Sequence, residues 1–388
     1  MRPWVDIVRP STPIGGAATT GSHSAGALAR TLLNREKPMR LTTFAIAFAT
    51  LAAGCVGEVG GPRKPRDKDP TDPTPSAPEG SCAKVEKDVT IRAMADMQSL
   101  PRTGCYDIYG KLTLQGAAIT TMLALEELNS VDQLILDHTG LTRIDTKRPV
   151  GIYGRLTVLG NSKLTNLKQL SFETAATGVQ IDGNPVLTSL DPLVLADPKL
   201  DEVDGDLEIT GNPALTAISL PNLTKVTGAL TLASNTAVRT IDVTKLATTG
   251  HVDIADHPQL TSLTGFAATA INGDFAIRNN QVLSTLGTMS SLYRVTGNLT
   301  IDNNTALGSL AAFTTSVKFV DKALTITNNA SLTDVGALKH LQLVQAITIT
   351  NNHNLVNCRA LEVDRCTQHP TGAVISNNGT TNCSVLCN

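Results

Sequence analysis

Aromatic residues are scarce in this 388-residue chain: they make up 3% of it, and the single Trp is Trp4. So few rings leave little material for base-stacking platforms or for the aromatic clamps usual in sugar-binding grooves. Charge of one sign is also missing. Lys and Arg number 32 against 34 Asp and Glu, a net charge of −2, and no long charge run breaks the balance. No broad basic face for nucleic acid is therefore expected. Gly-rich phosphate loops are absent, and no Ser or Cys has a His at a spacing that suggests a nucleophile and its base. Residues 41–53 form an apolar stretch of 13 residues, too short to span a bilayer.

What the chain has is a repeat. Eleven times, at spacings of 22 to 28 residues, an apolar-x-apolar strand is followed by one or two residues, an anchor that is usually Asn, and another apolar residue. The anchor slot reads Gly116, His138, Asn161, Asn184, Asn212, Asn235, His257, Asn280, Asn304, Asn329 and Asn352. Three residues after each anchor stands Ile119, Leu141, Leu164, Leu187, Leu215, Val238, Leu260, Leu283, Leu307, Leu332 or Leu355. A second apolar column follows three residues further on, from Met122 to Val335, and ends at Cys358. A period in the twenties with columns of this kind predicts an all-β parallel solenoid of about 12 turns, in which no turn folds alone. Alternation before the anchor, as in Leu207/Ile209 and Leu230/Leu232, reads as short strands with one face buried. Gly lies two residues before the strand at 110, 154, 205, 228, 250, 273 and 297, which predicts tight corners with positive φ. The anchor Asn residues are expected to build a buried ladder at the corners, where the backbone has no sheet partner.

The pattern V-x-G-x-L-x-I-x-x-N-x-x-L-x-x-L resembles the receptor L domain, a β-helix related to leucine-rich repeats. The opening fits as well: Cys82, a strand at Val89-Thr-Ile91, and Cys105 ahead of Ile108-Tyr-Gly110. The resemblance covers roughly Cys82 to Cys387, and it implies a scaffold that binds diverse partners rather than one chemistry. A single L domain has about half as many turns. The longest anchor gap, from Asn184 to Asn212, holds the polar residues 197–206 and is the expected seam if two units are fused, although the core columns run through it.

Residues 35–55 carry an export signal. Arg35, Lys37 and Arg40 precede the apolar stretch, which ends in Leu51-Ala-Ala-Gly54-Cys55 and resembles a bacterial lipobox. Ala52 occupies the position where Leu is more usual. The expected organisation is residues 1–38 as a misassigned start or leader, 39–54 as a lipoprotein signal peptide, 55–81 as a lipidated Cys55 with a Pro-rich tether, and 82–388 as the solenoid. The remaining six Cys lie at the two ends of the repeat, where an open rung needs a cover. They are expected to pair as Cys82–Cys105, Cys358–Cys383 and Cys366–Cys387.

Chemistry is thin. On the outward strand column Glu208 and Asp253 stand two rungs apart, roughly 9–10 Å, near the upper limit for an inverting carboxylate pair. Asp201, Asp204 and Asp206 lack the spacing of a calcium loop and read as a solvated corner. The expectation is a non-enzymatic lipoprotein without cofactor or metal, anchored in a bacterial envelope or outer membrane. Its partners would be the membrane and a protein or glycan ligand; the rival readings are a polysaccharide-acting β-helix enzyme and an envelope spacer.

Overall fold

The computed structural model describes residues 82–172, 176–190, 200–314, 316–368 and 372–379, with the backbone alone at 357 and 358. Cys55, the tether and the signal segment lie outside these residues.

Short apolar-x-apolar segments become strands because each turn can offer the next a row of aliphatic side chains and free backbone groups. Leu207–Thr210, Leu230–Ala233, Val252–Ala255, Phe275–Arg278 and Leu299–Asp302 follow one another in parallel register. Leu207, Leu230, Val252, Phe275 and Leu299 are successive Cα partners. The described strands form a 21-stranded sheet and a 3-stranded sheet, every pairing parallel, in an all-β solenoid of about 12 turns. The smaller sheet joins Ala217–Ser219, Thr240–Asp242 and Ser262–Leu263 on a separate side. The long gap between Asn184 and Asn212 leaves the pairing intact, since Gln180 and Glu208 are direct partners across it.

Both apolar columns point inward. Every residue from Ile119 to Leu355 and from Met122 to Val335 in them is at most 3% exposed. The rungs stack at about 4.8 Å, so each burial contributes on the order of 1.5–3 kcal/mol only when its neighbours are also in place. Phe275 is fully buried in the interior, edge-on to Phe266 at 5.7 Å and to Phe313 at 6.3 Å.

The Gly column has a different cause from the one its position suggests. Of the seven, only Gly110 has a positive φ, at 159°. A Cβ on Gly250 would lie 2.4 Å from the Gly228 carbonyl oxygen, and one on Gly205 would lie 2.4 Å from that of Thr177. Close approach of stacked corners excludes a side chain there. Left-handed backbone occurs instead in the residue just before each ladder position, at Gly160, Gly183, Gly211, Ser234, Asp256, Asn279, Asn303, Asn328, Asn351 and Asn377.

At the N-terminal end Cys82 and Cys105 are joined by a disulfide, and Ala83–Val85 pairs with the strand Tyr106–Gln115. At the other end the second apolar column stops in a helix, Asn357–Cys366, which places Ala360 and Val363 against the core. Cys366 is in a disulfide whose partner is outside the described side chains. The expected bonds of Cys358, Cys383 and Cys387 lie outside them too. Beyond the helix Val374–Ser376 adds one more strand to the sheet.

Candidate functional site

The Asn residues at the corners bond in sequence along the solenoid. Asn184 donates its backbone N–H and its Nδ2 to Oδ1 of Asn212, both at 3.1 Å, and also donates Nδ2 to the carbonyl of Val158 at 3.0 Å. Each such Asn therefore ties its own turn to the one before and the one after. One run links Asn161, Asn184, Asn212 and Asn235, and a second links Asn280, Asn304, Asn329, Asn352 and Asn378. The eight from Asn161 to Asn352 are fully buried. In this dry setting satisfied amides stabilise, and an orphaned one costs about 1–3 kcal/mol.

His257 interrupts the ladder. Its backbone N–H bonds Oδ1 of Asn280, while its two ring nitrogens sit 3.1 Å from the carbonyls of Asn235 and Leu232. Burial holds its pKa below the usual histidine value, against the pull of those two carbonyls. His138 behaves otherwise. Its ring is exposed and bonds Asp137 at 2.6 Å, and the residue has a φ of 50°. The ladder slot of that turn belongs to Thr139, whose N–H and hydroxyl both donate to Oδ1 of Asn161. Gly116 and His138 thus occupy the left-handed position, one residue before the slot assigned to them from sequence, because the first two turns have a corner one residue shorter.

A second Asn column, unforeseen from sequence, runs outside the first. Asn303 donates to Asn279, Asn351 to Asn328 and Asn377 to Asn351. Its signal is the Asn-Asn doublet: the first Asn of each pair accepts the left-handed backbone and faces out, the second turns in.

The outward strand face is occupied. Arg278 grips Asp253 with both prongs, Nε to Oδ1 at 3.0 Å and Nη2 to Oδ2 at 2.6 Å, and this bond raises the Arg278 pKa. Glu208 accepts from Gln180 at 3.1 Å, and Asp182 accepts from Thr210 at 2.6 Å. Arg278 comes from the next turn and the neighbouring column, so its spacing from Asp253 concealed it. Of the acidic corner, Asp204 pairs with Lys225 at 3.0 Å and Asp206 accepts the N–H of Ala229.

A cavity of about 640 Å³ opens on the other strand column, near the C-terminal end. Three successive turns and the terminal helix build it. Phe319 and Leu343 are direct strand partners and supply an apolar wall. Lys318, Lys339 and His340 line it, with Gln342, Gln368 and Glu362. Beside the cavity Tyr293 meets Phe319 edge-on at 5.3 Å, and the Arg294 guanidinium lies 5.9 Å from the Phe319 ring. Glu362 is engaged by Arg359 at 3.0 Å, whereas neither lysine side chain has an ion-pair partner among the described residues. His340 is held below its usual pKa by burial first and then by the two lysine charges. The sequence hint was small: at Phe319-Val320 and Leu343-Val344 the polar-apolar alternation of this column lapses.

No family model matches the chain. The chain is similar to a cell surface GPI-anchored protein of Arthroderma benhamiae, with 28% identity over 285 residues that cover 68% of this chain and 70% of that protein. The molecule is an all-β parallel solenoid similar, at a distance, to a protein anchored on the outside of a cell.

Proposed function

We propose that the chain is displayed at the cell surface on a lipid anchor at Cys55 and works as a non-catalytic recognition scaffold. One observation carries the non-catalytic part: the carboxylates of the outward strand face are engaged by neighbours. An inverting glycosidase needs a protonated acid and a free carboxylate facing each other. Asp253 is clasped by both prongs of Arg278, and Glu208 accepts from the Gln180 amide. This arrangement favours binding over the polysaccharide-acting enzyme.

The anchor rests on the lipobox-like Leu51-Ala-Ala-Gly54-Cys55 and on the surface location of the GPI-anchored relative. Several acyl chains on one Cys give stable attachment where a single chain does not. The receptor L-domain pattern of the repeat fits a partner-binding surface, and the small net charge gives no reason for nucleic acid as the partner. Mass spectrometry of the mature N-terminus tests the anchor. The expected species starts at an acylated Cys55, and an unmodified chain starting elsewhere refutes it.

A further inference from the structure

We propose that the cavity between Lys318, Lys339 and Phe319 binds an acidic polysaccharide through the carboxylates of its uronate units. The proposal rests on the scaffold reading above and names its ligand class.

Two ammonium groups with no ion-pair partner among the described residues leave the cavity positive once Glu362 is neutralised by Arg359. Such a site favours an anion, and it favours most one that brings two or more carboxylates at a repeat distance. The wall of Phe319 and Leu343 adds an apolar surface for the C–H face of a sugar ring. Gln342 and Gln368, both exposed, offer amide groups to hydroxyls. The volume of about 640 Å³ lies within the range of about 300–1,000 Å³ usual for small-ligand sites.

An acidic peptide is the competing ligand, and the backbone here disfavours it. Peptides on sheets gain affinity by adding a strand to a free edge. In this column Phe319 pairs with Arg294 and Leu343, and Leu343 pairs with Phe319 and Gln368, so neither of these two wall strands offers a free edge. Side chains alone must do the recognition, which suits a sugar.

The test is binding of the full chain to immobilised polygalacturonate, alginate and hyaluronate, with methyl-esterified polygalacturonate and polyglutamate as controls. At least one uronate polymer is expected to bind, and methyl esterification is expected to weaken binding about tenfold or more. Lys339→Gln and Phe319→Ala are each expected to weaken it about tenfold at unchanged melting temperature. Lys339 is exposed and Phe319 partly so, so neither change threatens the core. Binding to none of the three polymers overturns the proposal. So does equal binding by the variants, or polyglutamate binding that matches the uronates and depends equally on Phe319. Shortening of a bound polymer would instead refute the non-catalytic reading and leave the site standing.

Discussion

Asn329 hands its backbone N–H, at 3.0 Å, and its Nδ2, at 3.2 Å, to one oxygen, Oδ1 of Asn352. The same Nδ2 group also reaches the carbonyls of Ile301 and Thr327. Asn329 and Asn352 are both at zero exposure, so the ladder is a structural brace and its removal has a definite sign.

Asn329→Ala should cost about 3 kcal/mol or more, because it removes the acceptor of Asn304 and the donor to the carbonyls of Ile301 and Thr327. Asn329→Asp should cost more still. It keeps the acceptor that Asn304 needs but points a carboxylate oxygen at carbonyls. Thermal or urea unfolding checks the order. An Asp variant as stable as the parent would refute the ladder.

His257 gives a pH dependence. Its folded pKa is depressed by burial, so between that value and the unfolded value of about 6.5 the unfolded chain binds more protons. Stability should therefore rise with pH through this window, be fully present above about 6.5, and fall as the solution is acidified. His257→Asn should flatten that dependence, since an Asn restores an amide to the gap between Asn235 and Asn280. Melting temperatures from pH 4 to 8 read it directly. An unchanged slope in the variant would remove His257 from the account.

Gly250 and Asn303 test two kinds of corner. Gly250→Ala should destabilise by about 1–3 kcal/mol, since its Cβ would meet the Gly228 carbonyl oxygen at 2.4 Å. Asn303→Gly should change stability by about 1 kcal/mol or less, because glycine tolerates the φ of 53° and a half-buried hydrogen bond between neutral amides has a small net worth. Asn303→Val should be worse than either Asn or Gly, as a β-branched side chain resists that backbone. Equilibrium unfolding of the three variants settles the contrast.

Phe275→Ala should cost about 3–5 kcal/mol. It opens a cavity between Phe266 and Phe313 in the middle of the stack. Since each rung depends on its neighbours, the loss should appear in the main unfolding transition. A separate early transition would mean that the turns melt independently.

The fold was legible because its cause is periodic. Leu283 and Leu307 sit in one column for the same reason, and a period of about two dozen residues displays that reason many times. Register was less legible. Sequence put His138 in the ladder because it precedes Leu141 by three, yet the shorter corner hands the slot to Thr139, a shift that strand pairing reveals and counting does not. The glycines show the same limit. Their column is plain in the sequence, but the neighbour that excludes a Cβ at Gly250 is Gly228, one turn away. The cavity was hidden more deeply. Lys318, Lys339 and Glu362 fall at unrelated repeat positions and meet only because successive turns and a helix stack on one side.

The proposed anchor at Cys55 would hold the solenoid outside the cell. Labelling intact cells with a membrane-impermeant amine reagent, in the parent and in Cys55→Ser, tests it most directly. Labelled solenoid lysines and retention with the membrane are expected for the parent, and release into the medium for Cys55→Ser. An unlabelled parent, or a Cys55→Ser protein that stays on the membrane as firmly as the parent, would contradict it.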